Sequence, residues 1–86
     1  NAPNPFNPST TIRFDLPRAA TVDLAVFDVR GRRIRILAAG ESFHAGRHAV
    51  QWNGTDETGR SVASGVYFVR MASEGHRASR RMVLVE

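Results

Sequence analysis

WNGTDETGRSVASGVYFVRM, residues 52–71, opens on the only Trp of the chain and carries the only Tyr, Tyr67, near its far end. Between the two rings lie Asn53, Gly54, Asp56, Gly59 and Gly65, the residue types that make turns. An indole and a phenol are among the largest apolar payloads a small β core can bury. Set at either end of one long polar loop, they mark that loop as a crossing between two layers. The strand ending at Trp52 and the strand beginning near Val66 are therefore expected to face each other across a sandwich core. Every other strand is expected to gather around that pair.

Alternation carries the pattern outward. His48, Val50 and Trp52 share one face of a strand, as do Tyr67, Val69 and Met71 in residues 66–71. Val62 reads as the start of a short strand inside the crossing. Glu74-Gly75 reads as a hairpin turn, and residues 76–85 as the last strand, with Met82 and Leu84 inward. Upstream, TTIRFDL at 10–16 places Ile12, Phe14 and Leu16 on one face and ends at Pro17. ATVDLAVFD at 20–28 repeats the pattern with Val22, Leu24 and Val26 inward and Phe27 on the other face. Arg30-Gly31-Arg32 is a tight turn with Gly31 left-handed, and residues 33–37 are the return strand. There Ile36-Leu37 breaks alternation, which predicts a bulge or a sheet edge. Residues 40–46 read as a loop between two glycines. The result is all-β: an antiparallel sandwich of about seven short strands, with no helical periodicity.

The chain has 86 residues, a formal charge of +4 and no Cys. A domain of this size buries about 60–65% of its unfolded surface, so its apolar side chains serve the core rather than a deep catalytic cavity. All 12 basic residues are Arg, which removes Lys-based covalent and general-base chemistry. No apolar run is long enough for a signal peptide or a membrane span. The chain starts at Asn1 and is read as a piece of a longer precursor. Residues 1–9 form an extended linker or edge segment, because each residue before Pro is pushed out of helical geometry. Phe6 is expected to pin that segment to the domain edge, and residues 10–86 form the domain itself.

Four separated blocks now resemble a known family: PNPFNPSTTIRFDLP at 3–17, VFDVRGRRIRIL at 26–37, GRHAVQWNGTDETGRSVASGVYFVRM at 46–71 and RRMVLVE at 80–86. They resemble the type A C-terminal sorting domain of the type IX secretion system. They equally resemble its relative, the immunoglobulin-like domain of the flagellar hook-capping protein. The resemblance implies an immunoglobulin-like sandwich at the C-terminus of an exported bacterial protein, passing through the periplasm to the cell surface or beyond. It also implies a partner in the outer-membrane secretion machinery, which would read the tail Arg77, Arg80, Arg81, Met82, Val83, Leu84 and Val85. Two positions depart from the pattern: Arg80 and Arg81 stand where the family usually has Lys, and Asn53 where Asp is common.

Other chemistries fare worse. Oxygen-bearing Asn53, Asp56, Glu57 and Thr58 invite calcium, which takes about six to eight oxygen ligands. The order of a calcium loop is missing, so Asx-type turns are preferred. His44, His48 and His76 lack metal spacing; His48 reads as a half-buried strand residue satisfied by a backbone carbonyl. Ser42 near His44 has no nucleophile elbow and no orienting acid. No enzyme, cofactor or metal site is therefore assigned. The Arg clusters at 30–35 and 77–81 come without a reading helix or stacking aromatics, which argues against nucleic acid. They read first as solvated faces, and second as a surface for an anionic partner such as lipopolysaccharide. Trp52 and Tyr67 are assigned to the core rather than to sugar stacking. Gly54, Asp56, Gly59 and Gly65 are assigned to the turn framework around those rings. Phe27, Phe43 and Phe68 are the remaining aromatics, and they are not spaced along one strand. The expected function is non-catalytic sorting and surface anchoring. The alternative is a structural spacer or self-assembling module that pairs through its edge strands.

Overall fold

A computed structural model describes residues 9–85; the expected extended course of residues 1–8, Phe6 included, lies outside them. The first strand, β1, spans Thr10–Leu16 and buries Ile12, Phe14 and Leu16 while Thr11, Arg13 and Asp15 face water. Then β2 spans Ala20–Asp28, and its Val22, Leu24 and Val26 are almost fully buried. The others are β3 (Arg33–Phe43), β4 (Gly46–Trp52), β5 (Gly65–Ser73) and β6 (His76–Leu84). They form two antiparallel sheets, a pair β1-β4 and a quartet in the order β3-β2-β5-β6.

Among the described residues the sandwich thus has six strands rather than about seven. Val62 starts no strand: its amide donates to the Gly54 carbonyl at 2.9 Å, and the crossing holds only an isolated bridge, Thr55 to Ser61. The loop folds back on itself there, and half-buried Val62 packs its side chain against the core.

The second correction concerns residues 40–46, read as a loop although β3 runs on to Phe43. Gly40 (φ +61) lies in a bulge rather than in a break. Val22 pairs with Glu41 and Leu24 with Ala38, so Ala39 and Gly40 together oppose Asp23, whose carboxylate accepts the Gly40 amide at 2.7 Å. The disturbance expected at Ile36-Leu37 is a second bulge. Ala25 pairs with Ile36 and Leu24 with Ala38, leaving Leu37 extra and turned toward the core. Both turns form as read: Gly31 has φ +83, and Glu74 and Gly75 have φ +48 and +83, the double positive φ of a type I′ hairpin.

The two sheets meet at the rings that frame the crossing. Trp52 on β4 and Tyr67 on β5 stack edge to face, with centroids 5.2 Å apart and planes at 70°. Trp52 is only 1% exposed. Removing an indole of roughly 200 Å² from water is worth on the order of 5 kcal/mol, the largest single contribution in so small a core. Along the β1–β6 opening, the Arg80 guanidinium donates to the Arg13 carbonyl at 3.0 Å and laces the sheets together.

Candidate functional site

The crossing loop is built on one carboxylate. Asp56 Oδ1 accepts from the Thr58 amide (2.9 Å), the Thr58 hydroxyl (2.7 Å) and the Arg60 amide (3.1 Å). Its backbone N–H donates to the Arg60 carbonyl and its carbonyl accepts the Gly59 amide, where φ is +87. The Thr58 hydroxyl, helped by the Arg60 and Thr58 amides, holds the Asp56 carboxyl below its ordinary value, although desolvation, second in size to the hydroxyl, pulls the other way. Asn53 accepts the Thr55 hydroxyl at 2.6 Å. Glu57 reaches out to accept the Ile36 amide of β3 at 2.7 Å. The oxygen side chains that invited a calcium reading are thus occupied with turns and with capping a sheet edge. Among the described residues, no group of three or more His, Cys, Asp or Glu is placed to hold a metal.

The loop is anchored from both sheets. The indole N–H of Trp52 donates to the Thr55 carbonyl at 2.9 Å, and the Tyr67 hydroxyl donates to the Ala63 carbonyl at 2.6 Å. Gly54 is buried beneath the loop, and Gly65, at φ +152, opens β5. Burial, and secondarily the Asp28 carboxylate, push the Tyr67 phenol above its ordinary value. From β3, Arg35 donates to the Thr55 hydroxyl and to the Asp56 carbonyl, both at 2.8 Å. In the sequence Arg35 stands only as one member of an Arg cluster, and alternation gives no sign that a bulged strand turns it inward onto the loop.

A second carboxylate repeats the device. Asp28 Oδ1 accepts the Arg30 amide at 3.0 Å and the Arg32 amide at 2.9 Å; Gly31 donates to the Asp28 carbonyl, and the Asp28 amide to the Arg32 carbonyl. The two segments spell DVRGR and DETGR. That Asp-x-x-Gly-Arg repeat is the sequence signal that joins them, and it is legible once the two turns are set side by side.

His48 takes the place expected of it. Its ring packs 5.4 Å from Phe14 and 4.9 Å from Phe43, and Nε2 lies 2.7 Å from the His44 carbonyl. Phe43 therefore turns toward the core, edge-on to Phe14 at 5.4 Å. Phe27 and Phe68, far apart in sequence, are cross-strand neighbours in the β2–β5 ladder. Ser42 sits opposite Thr21 in the β2–β3 ladder, well placed for pairing and for no evident chemistry.

The tail residues do not act as one group. β6 is an edge strand with β5 as its ladder partner. Leu84 is buried and Met82 half-buried, so both belong to the sandwich. Arg80 is tied to β1. Arg77, Arg81, Val83 and Val85 are exposed. Among the described residues the tail thus presents an unpaired edge carrying both charged and apolar side chains.

The family model of the FlgD Ig-like domain matches residues 4–76. No curated protein shows significant sequence similarity to the chain. Among solved structures, FlgD from P. aeruginosa superposes with a TM-score of 0.65 at 22% identity, over 88% of this chain and 59% of that one. At that identity the likeness speaks to fold, and this chain spans well under two thirds of the longer protein. Of the two relatives that the sequence resembles, the match supports the hook-capping side. With the match running through most of the strands just described, the chain belongs to the FlgD Ig-like domain family.

Proposed function

We propose that this domain is a non-catalytic structural module, an immunoglobulin-like unit that takes its place in a larger surface or filament assembly by pairing through its exposed strand edge. The observation that carries the proposal is β6. Among the described residues it has a single ladder partner, and its outward side chains include Arg77, Arg81 and Val83. An open edge of this kind is a template for adding a strand. The family assignment supports a structural role. Asp28, Asp56, Glu57 and His48 are engaged in turns and packing.

Sedimentation equilibrium combined with amide exchange tests the proposal. Self-association should rise with concentration, and the outer-edge amides of β6 should gain protection together with it. A strictly monomeric chain whose β6 amides exchange alike at every concentration would overturn it.

A second reading is favoured by the exposed C-terminal end of the same strand. Arg81, Val83 and Val85 are free of the core and could be read by an outer-membrane secretion component, with delivery to the cell surface. Substituting Arg81→Gln, Val83→Ser and Val85→Ser in a fusion leaves the buried residues intact. Unchanged export of that fusion would sink the sorting role.

A further inference from the structure

The side of the β3-β2-β5-β6 sheet turned away from the core is not an ordinary solvated face. Strand period and register place Asp23, Ala25 and Phe27 there from β2, beside Ala72, Arg70 and Phe68 from β5. Next to these, β6 contributes Arg77, Ser79 and Arg81 opposite Ala72, Arg70 and Phe68, and Val83 opposite Val66. Small side chains at Ala39, Ala25, Ala72 and Ser79 leave a shallow trough of about 550 Å³ that crosses all four strands of the sheet. Arg33, Arg70 and Arg77 stand around it with Ile36 and Phe27. Arg70 lies over the Phe27 ring, 4.2 Å from its centroid, which fixes the guanidinium along the face. The one carboxylate there, Asp23, already accepts the Gly40 amide. Apolar surface continues along the sheet, with Ile36 and Val66 each 37% exposed and Val83 56% exposed. An apolar stripe with three arginines and one carboxylate around it marks a contact surface rather than a face designed for water.

We infer that this trough docks an amphipathic helix of a partner protein, with its apolar stripe on the Ala and Phe floor and Asp or Glu residues flanking it. A helix is favoured over a strand because the trough runs across the ladders. The central strands β2 and β5 spend their backbone groups on their neighbours, so an extended segment laid across them would bury unpaired N–H and C=O groups. A helix satisfies its own. The flanking charge must be acidic to meet Arg33, Arg70 and Arg77. A second copy of this chain fits poorly, since its formal charge is +4 and its own matching face would set Arg against Arg. A polyanion would meet the arginines and leave Phe27 and Ile36 wet. This surface is separate from the β6 edge, so edge pairing and helix docking stand or fall independently.

Two synthetic helices of about 18 residues serve as probes, one with a Leu stripe flanked by Glu and one with Lys in place of each Glu. Heparin serves as the polyanion control. Each is titrated into the isotope-labelled chain and followed by amide chemical shifts. The Glu helix should bind saturably, moving Ala25, Phe27, Ala72 and Ser79. Affinity should fall about tenfold in the Arg70→Glu/Arg77→Glu double variant, as expected for two reversed surface charges. Arg77→Glu alone, which leaves the Phe27 stack in place, should give part of that loss. Equal binding of the Lys helix, no binding of the Glu helix, shifts confined to the β6 edge, or binding of heparin alone would each overturn the inference.

Discussion

Residues 28–32 and 56–60 make the same turn in two different settings. In each, an Asp carboxylate gathers the amides two and four residues on, a Gly with φ near +85 sits third, and an Arg carbonyl closes the ring. The first turn links neighbours in one sheet, β2 and β3, which would lie side by side with any competent hairpin between them. The second is flanked by no strand pair, only by the isolated Thr55–Ser61 bridge. It lies midway along a loop that must leave the β1-β4 sheet at Trp52 and join the other sheet at Gly65. What the crossing adds is anchorage: the Trp52 indole, the Tyr67 hydroxyl and Arg35 hold it from its flanks and from β3, and its own Glu57 reaches out to the Ile36 amide. The turn chemistry is local and portable. The path between layers is set by the rings it is tied to.

Removing the main anchor should break the likeness most severely. Trp52→Ala deletes the centre of the core together with the hydrogen bond to Thr55, and large-to-small changes at such sites cost about 3–5 kcal/mol. Against a total stability of roughly 5–15 kcal/mol, urea denaturation should show a collapsed midpoint or no cooperative transition. A variant with an unchanged midpoint would show that the two sheets do not depend on the indole.

A smaller effect separates the turns from their settings. Gly31 and Gly59 have φ of +83 and +87, and a Cβ added at either meets no atom within 4 Å. Alanine at either site therefore suffers only the left-handed backbone penalty, about 1–2 kcal/mol. Gly31→Ala and Gly59→Ala should lower the urea midpoint by matching amounts. A markedly larger loss at Gly59 would mean that the anchors transmit strain from the turn into the core.

Much of this was legible in the residues. Strict alternation fixed the inner faces of β1 and β2, because a period of two leaves no choice when one face is buried. Trp52 and Tyr67 could be matched across the core because the chain holds one of each and a turn-rich loop between them. Gly40 misled: a glycine followed by Glu41 and Ser42 spells a loop, and only the partner strand shows that Asp23 captures its amide within a bulge. Val62 misled for a related reason, since one apolar residue in a loop packs on the core without a ladder. The meeting of Phe27 with Phe68, and the trough beside it, depends on cross-strand register. Register between segments some forty residues apart is invisible to any pattern read along one strand.

The finest distinction between the turns lies in their acid response. Both carboxyls are held below the ordinary value, Asp28 chiefly by the Arg32 amide and Asp56 chiefly by the Thr58 hydroxyl. A depressed folded-state value means that ionisation favours the folded form. That contribution is fully present above the unfolded Asp value of about 3.9 and is lost as pH falls through each folded value. The thermal midpoint should therefore drop on acidification below about pH 4, with a shallower drop in Asp28→Asn and in Asp56→Asn. Thr58→Val sharpens the contrast, because Arg30, its counterpart, has no hydroxyl to lose. Following each side-chain carboxyl carbon by NMR through an acid titration, the variant should move Asp56 toward the ordinary value and leave Asp28 where it was. If the two shift together, the turns are coupled through Arg35 and the crossing loop, and the device is not local. If neither moves, the amides alone set both carboxyls and the hydroxyl contributes nothing.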